Sequence, residues 1–195
     1  MIFLIRHGQT EFNRQRRLQG RMDSPLTELG AQQARRMGEV LKAHVEHPDD
    51  WMVISSPLGR TRRTAEIVCE AMGLPHPIET DDRLMEIDVG AWEGLDGDEI
   101  EAMTPGARRE PGWLLTAPGG ETWETASARV ADWLDEHNVR DGRRRLVISH
   151  GITGRILRAL YEGEDGTGIW SLPAPPQDAV FRLWEGRIYR LDQGV

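Results

Sequence analysis

Apolar positions along the chain follow two rhythms, short unbroken runs and a helical spacing of three to four. The runs IFLIR at 2–6, WMVIS at 51–55 and LVIS at 146–149 read as buried strands, and residues 77–80 as a shorter extended piece. Between them the spacing turns helical. Thr27 is placed to cap a helix carrying Leu29, Ala34, Met37, Leu41 and Val45, which Pro48 ends. Residues 59–72 read as a second helix, stopped by Gly73 and Pro75. Residues 122–138 form an amphipathic helix with Val130, Trp133 and Leu134, and residues 152–161 form another. AVFRLWEG and RIYRLD read as a hairpin turning at Glu185-Gly186. This alternation predicts an α/β protein with a mostly parallel central sheet covered on both faces, in a single domain over 1–195. Residues 88–120, rich in Gly, Pro and acids, break the alternation. They are expected to leave the core as a partly helical, lid-like insertion. No internal repeat or low-complexity tail appears.

In open α/β sheets ligands bind beyond the carboxyl ends of the strands. One strand here ends in Arg6-His7-Gly8. A second ends in Ser55-Ser56-Pro57, with Arg60 one turn into the following helix. A third ends in Ser149-His150-Gly151. A parallel sheet brings these ends to one edge, so two histidines and two arginines meet there. Each histidine is followed by a glycine that lets backbone approach a ligand closely.

Composition narrows the chemistry. The formal net charge of −8 argues against a nucleic-acid partner. Lys42 is the only lysine, and the rest of the 24 basic residues are arginines. Residues 1–21 hold Arg6, Arg14, Arg16, Arg17 and Arg21 against one acid, Glu11, and residues 60–63 add Arg60, Arg62 and Arg63. An acidic protein with local arginine clusters suggests a focused anion site, because the guanidinium fork matches phosphate and carboxylate. No apolar stretch approaches the roughly 20 residues that span a bilayer, so no membrane association is expected. The lone Cys69 suits a reducing compartment and a buried structural role, and a cytoplasmic location is expected.

RHGQTEFN (6–13), SPLGRTRRTA (56–65), LMEIDVGAWEG (84–94) and SHG (149–151) resemble the signature blocks of the histidine phosphatase superfamily, the phosphoglycerate mutase-like group. DSPLTELG (23–30) and PGGET (118–122) resemble its secondary blocks, and all stand in the family's order. The resemblance implies a three-layer α/β/α sandwich. It implies that His7 is the nucleophile taking the phosphoryl group, that Arg6 and Arg60 clamp the phosphate, and that His150 contacts the transferring group. It also implies that Asn13 donates to phosphate oxygens and that Glu86 is the general acid. Glu86 is chosen over Asp82, Asp88 and Glu93 because it heads the EIDVGAWEG block. A neutral imidazole is a competent nucleophile near neutral pH, and flanking arginines help keep it neutral. Arginines can neutralise the spread charge of phosphoryl transfer, so neither metal nor cofactor is expected. Gln19, Gly20, Ser149 and Gly151 are further candidates for phosphate or substrate contacts.

The reaction expected is metal-independent hydrolysis of a small phosphorylated metabolite through phospho-His7. The alternatives are a cofactor-dependent phosphoglycerate mutase and a non-catalytic phosphate-binding module. Mutases of the family resemble one another in a longer insertion after the glutamate, with tyrosine and lysine residues for phosphoglycerate. Here residues 87–117 contain neither. No G-x-S-x-G elbow or Walker A pattern is present. Arg14, Arg17, Arg21, Arg108 and Arg109 are secondary candidates for substrate contacts. His44 and His47, beside Glu46, have metal-like spacing without a third ligand, and a solvated helix end is the preferred reading. His76 and His137 show no partner in sequence. Trp92, Trp113, Trp123 and Trp170 are read first as packing residues. Residues 170–176 (WSLPAPP) read as a core crossing or as a homodimer interface.

Overall fold

The computed structural model describes residues 1–44, 46–74, 77–138, 143–164 and 166–191. Val45, Pro75, His76 and Asp192, which enter the sequence-based elements above, lie outside the described residues. Among the described residues the sheet has six strands: β1 (Ile2–Arg6), β2 (Trp51–Ser55), β3 (Ile78–Thr80), β4 (Arg144–Ser149), β5 (Val180–Trp184) and β6 (Arg187–Leu191). Their order is β3-β2-β4-β1-β5-β6, parallel from β3 to β1 and antiparallel for the terminal hairpin. Glu185 and Gly186 both have positive φ, 51° and 73°, which matches the hairpin turn to the strand twist.

The helices are α1 (Glu11–Arg14), α2 (Glu28–Lys42), α3 (Gly59–Met72), α4 (Gly97–Met103), α5 (Trp123–His137) and α6 (Gly151–Tyr161). Strand alternation sorts the core into two halves. Phe3, Ile5, Val53, Leu146 and Ile148 face α2 and α3, where they bury Met37, Leu41, Ala65 and Val68. Ile2, Leu4, Ile54 and Val147 face the other way, onto Val130, Trp133, Ile156 and Leu157 of α5 and α6. These are the three layers.

Three expectations are corrected. Leu29 is 45 % exposed, while α2 buries Ala34, Met37 and Leu41 as expected, together with Gly30 and Gly38. The cause is a close backbone approach. A Cβ on Gly8 would sit 2.2 Å from Gly30 O, and one on Gly30 would sit 2.0 Å from Gln9 O. Only glycine fits on both sides, and this contact turns Leu29 outward. Residues 88–120 are partly helical as expected, but they do not leave the core. Trp92 (0 % exposed), Ile100 and Ala117 belong to the same cluster as the sheet face below them. Helix α2 also ends at Lys42, before Pro48, which opens a short 3-10 turn at Pro48–Asp50.

Candidate active site

Register places the site. Arg6 of β1 pairs with Ser149 of β4, and Ser55 of β2 pairs with Ile148. The next backbone bonds continue the ladder, His7 N–H to Ser149 O at 3.1 Å and Ser56 N–H to Ile148 O at 3.0 Å. His7, Ser56 and His150 therefore leave the sheet side by side. The two imidazoles lie with ring centroids 5.2 Å apart at 63°.

His7 is buried. Its Nδ1 lies 2.8 Å from Gly8 O, an acceptor only, so Nδ1 carries the proton and Nε2 keeps its lone pair. Arg60 Nε donates to that Nε2 at 3.3 Å. Burial, then the Arg6 and Arg60 charges, push the His7 imidazole well below its ordinary value. His150 is pushed well down too, by burial first and then by Arg60, His7 and Arg6. Its Nε2 is 2.8 Å from Ser56 Oγ, while its buried Nδ1 has no partner among the described residues.

Arg60 sits on the first turn of α3, 1 % exposed, and its guanidinium is held from several sides. Nη1 donates to Met22 O at 2.7 Å and to Asp23 at 3.1 Å, and Nη2 donates to Gly20 O at 2.8 Å. Asp23 also accepts from the Arg60 backbone N–H at 3.2 Å, so it caps α3, whose own N-cap Leu58 offers no side chain for the task. One acid thus fixes both the helix and the cation. Gly20 has φ +53°, and a side chain there would meet Glu93 and Val89. Arg6 donates from Nη1 to Pro175 O at 3.2 Å and covers Gly151, and its buried Nε has no partner among the described residues.

Glu86 reaches the start of α6. Oε2 accepts from Ile152 N at 3.1 Å, and Oε1 accepts from Thr153 N at 3.0 Å. It serves as the cap that His150, the N-cap residue, does not provide. Its charge acts favourably on both Arg6 and Arg60. Behind it Thr153 Oγ1 lies 2.6 Å from Met85 O and 3.2 Å from Glu86 Oε1. Arg129 and Glu121, paired at 2.7 Å, stand beyond that hydroxyl.

His7, Arg6, Arg60, His150 and Glu86 thus come together from four separate stretches of chain. Asn13 lies in the capping box of α1. Its Oδ1 accepts from Thr10 N and, at 2.8 Å, from Gln177 Nε2. Gln19 accepts from Ser24 Oγ at 3.1 Å. The Ser149 hydroxyl, expected on the phosphate, instead donates to Leu84 O at 2.9 Å.

The secondary arginines separate. Arg14 pairs with Glu11, and Arg17 ties to Gly94 O and Glu99. Arg21 lies between Asp88 and Glu121 at 3.7 and 3.9 Å. Arg108 stacks on Trp113, and Arg109 is exposed. Trp92 is core, with Trp113 packed on it at 5.5 Å. Among the described residues no group of three or more His, Cys, Asp or Glu side chains is disposed to hold a metal. His44 packs near Phe3, and His137 stacks on Trp133. Residues 172–175 cross α6, giving Pro175 O to Arg6 and Pro173 O to Arg158. Sequence reading placed Ser56 at a strand end beside the site without giving it a role, and it missed Asp23, Thr153 and the carbonyls that this strap supplies. Asp23 and Ser56 had a signal, since each immediately precedes or follows a serine at a turn before a site element.

The fold and this site define a pocket of two imidazoles and two guanidinium groups at the carboxyl edge of an α/β sheet. The family model of the histidine phosphatase superfamily (branch 1) matches residues 2–185, and the chain belongs to that superfamily. It is 40 % identical over 159 residues to the "Probable phosphoglycerate mutase GpmB" of Salmonella choleraesuis, covering 77 % of this chain and 69 % of that protein. Among solved structures it resembles a mycobacterial glucosyl-3-phosphoglycerate phosphatase complexed with VO3. That likeness has a TM-score of 0.79 and 29 % identity, over 92 % of this chain and 90 % of the other. It also resembles Bacillus stearothermophilus YhfR, with a TM-score of 0.79 and 35 % identity over 96 % and 93 %.

Proposed function

We propose that the protein hydrolyses small phosphomonoesters without a metal, through a phosphoryl group carried on His7 Nε2. The observation that carries this is the fixed neutral tautomer of His7. Gly8 O holds the proton on Nδ1, and the lone pair of Nε2 faces Arg60. The Arg60 guanidinium has five N–H groups, and four are engaged by Gly20, Met22, Asp23 and His7. One Nη2 N–H remains for a phosphoryl oxygen, and the Nε–H joins it when Nε2 forms its bond to phosphorus. Arg6 Nε is a second open donor. With Ser56 donating to His150 Nε2, the orphaned Nδ1–H of His150 is a third.

Nε2 attacks phosphorus as the P–O ester bond breaks, and protonated Glu86 gives its proton to the leaving oxygen. Glu86, now a carboxylate, takes a proton from water. That water attacks the phosphohistidine, the P–N bond breaks, and phosphate leaves. The guanidinium groups meet the charge spread over the phosphoryl oxygens. Hydrolysis is favoured over transfer because residues 88–120 pack on the core and bring no lysine or tyrosine toward the site. The mutase reading has its own support in the relatives named probable phosphoglycerate mutase.

The deciding experiment is p-nitrophenyl phosphate hydrolysis in EDTA, run beside a phosphoglycerate mutase assay with bisphosphoglycerate. EDTA-insensitive hydrolysis with weak mutase turnover is expected. Strong mutase turnover with negligible hydrolysis overturns the proposal.

A further inference from the structure

The chain from Leu172 to Gln177 is a stiff strap. Pro173, Pro175 and Pro176 fix the backbone φ at their positions and bring no N–H of their own. The strap is held down on α6. Arg158 Nη2 donates to Pro173 O at 2.6 Å, and a Cβ on Gly154 would touch Pro175 Cγ at 3.6 Å. From this seat it reaches two groups of the site. Pro175 O accepts from Arg6 Nη1 at 3.2 Å, and the Gln177 side chain donates to Asn13. Two residues of backbone span at most about 7 Å, so one short piece of chain ties the Arg6 guanidinium and the Asn13 amide together.

The Asn13 amide has one orientation that its neighbours accept. The Thr10 backbone N–H, a donor only, meets it at 3.2 Å, so the atom facing Thr10 is Oδ1. Gln177 Nε2 donates to the same oxygen at 2.8 Å, from 164 residues away in the chain. Both lone pairs of Oδ1 are engaged, and Nδ2 is turned the other way. Its two N–H groups have no partner among the described residues, and the side chain is half-buried, so they stay open to an acceptor. The Gln177 side chain makes no other hydrogen bond among the described residues.

We propose that Gln177 is a positioning residue of the phosphoryl pocket, locking the Asn13 carboxamide so that Nδ2 donates to a phosphoryl oxygen held by Arg6. The inference rests on the reading of the His7 site as a phosphoryl site. It brings in a residue outside every sequence block that resembles the family. The Thr10 N–H alone leaves the amide able to swing. The second hydrogen bond, delivered by a stiff strap, removes that freedom before the ligand arrives.

The test is calorimetric titration of inorganic phosphate into the wild type, Gln177→Met, Gln177→Glu, Asn13→Ala and the two double variants. Methionine keeps the length of the side chain and loses the donor. Glutamate keeps the shape but aims an acceptor at Oδ1, which turns the Asn13 amide round and presents its oxygen to the phosphate. Gln177→Met should weaken phosphate binding about three- to tenfold, and Gln177→Glu at least about tenfold beyond that. In the Asn13→Ala background Gln177→Met should change the affinity by less than about twofold, and the step from methionine to glutamate should shrink to the effect of the added charge alone. Unchanged affinity in Gln177→Met, or substitutions at Gln177 that act equally with and without Asn13, overturn the proposal. Equal losses that track a fall in Tm mark a purely structural strap and overturn it as well. So does a wild type that binds no phosphate. Hydrolysis of p-nitrophenyl phosphate, lost in His7→Ala, separates the two readings. Hydrolysis with uncoupled substitutions removes the role of Gln177 and leaves the phosphatase standing, whereas coupled substitutions without hydrolysis keep that role and remove the phosphatase.

Discussion

The two buried histidines make stability depend on pH in a window where few other groups titrate. His7 and His150 are 2 % and 0 % exposed, and both are pushed well below the ordinary imidazole value. Burial is the first cause for each. The next cause for His7 is Arg6, and for His150 it is Arg60. Once the chain unfolds, each returns to about 6.5. Around pH 6 the unfolded state therefore binds more protons than the folded state, and stability rises with pH through this range. Above the unfolded value the contribution is fully present, and it is lost as pH falls below it. Each proton contributes about 1.4 kcal/mol per pH unit, so between pH 7.5 and 5.5 the pair should remove roughly 3 kcal/mol. His137, also pushed down by burial, adds a change of the same sign. The carboxylates held below their ordinary values, Asp81, Asp96 and Glu124, act only at lower pH. Urea unfolding at pH 7.5, 6.5 and 5.5 and constant ionic strength measures this loss. His150→Gln keeps an amide for Ser56 Oγ and removes one titrating group, so its loss should be smaller by about 1.4 kcal/mol. Stability that is flat over this window, or a His150→Gln slope equal to the wild type's, refutes the reasoning.

Other outcomes follow from the same geometry. His7→Ala should lower hydrolysis by at least about a thousandfold and abolish the acid-labile phosphoprotein seen by rapid-quench mass spectrometry. Glu86→Gln should slow alkyl phosphates by about a hundredfold or more and p-nitrophenyl phosphate far less, because nitrophenolate leaves without a proton; equal losses would remove the acid role. Trp92→Ala should cost about 3–5 kcal/mol in thermal or urea unfolding, because the ring is fully enclosed between the 88–120 segment and the sheet face.

Periodicity and punctuation made most of the sheet and the long helices legible. Thr27 and Thr122 mark helix starts, and both side chains accept from the backbone three residues on. Gly73 ends α3 with φ +73°. The failures share a physical reason, contact between parts of the chain distant in sequence. Leu29 fits the helical spacing, but the Gly8–Gly30 approach decides which way α2 faces, and neither glycine advertises its partner. Residues 88–120 look polar in composition, yet Trp92, Ile100 and Ala117 suffice to dock them. The site residues at strand ends were readable because strand register alone brings them together. The residues that hold those groups were not, because Asp23 to Arg60 and Pro175 O to Arg6 join positions 37 and 169 residues apart.

Glu86 shows how far chemistry and folding share one group in this protein. Helix α6 begins directly after His150, so its first residues must stand against the sheet edge, and the N-cap imidazole faces Ser56 instead of the helix. The open N–H groups of Ile152 and Thr153 are met from outside by Glu86. A carboxylate there also meets the positive end of the helix. The proposed acid role asks the same carboxyl to carry a proton and release it. The two demands are compatible because the oxygens are unequally engaged. Oε1 accepts from Ile87 N, Thr153 N and the Thr153 hydroxyl, whereas Oε2 accepts from Ile152 N alone. A proton on Oε2 leaves the Oε1 contacts in place, so α6 keeps most of its cap while the acid donates. In the proposed reaction Oε2 would therefore be the oxygen that serves the leaving group, while Oε1 holds the helix. An alanine at position 86 would remove both functions together, which makes glutamine the informative substitution there.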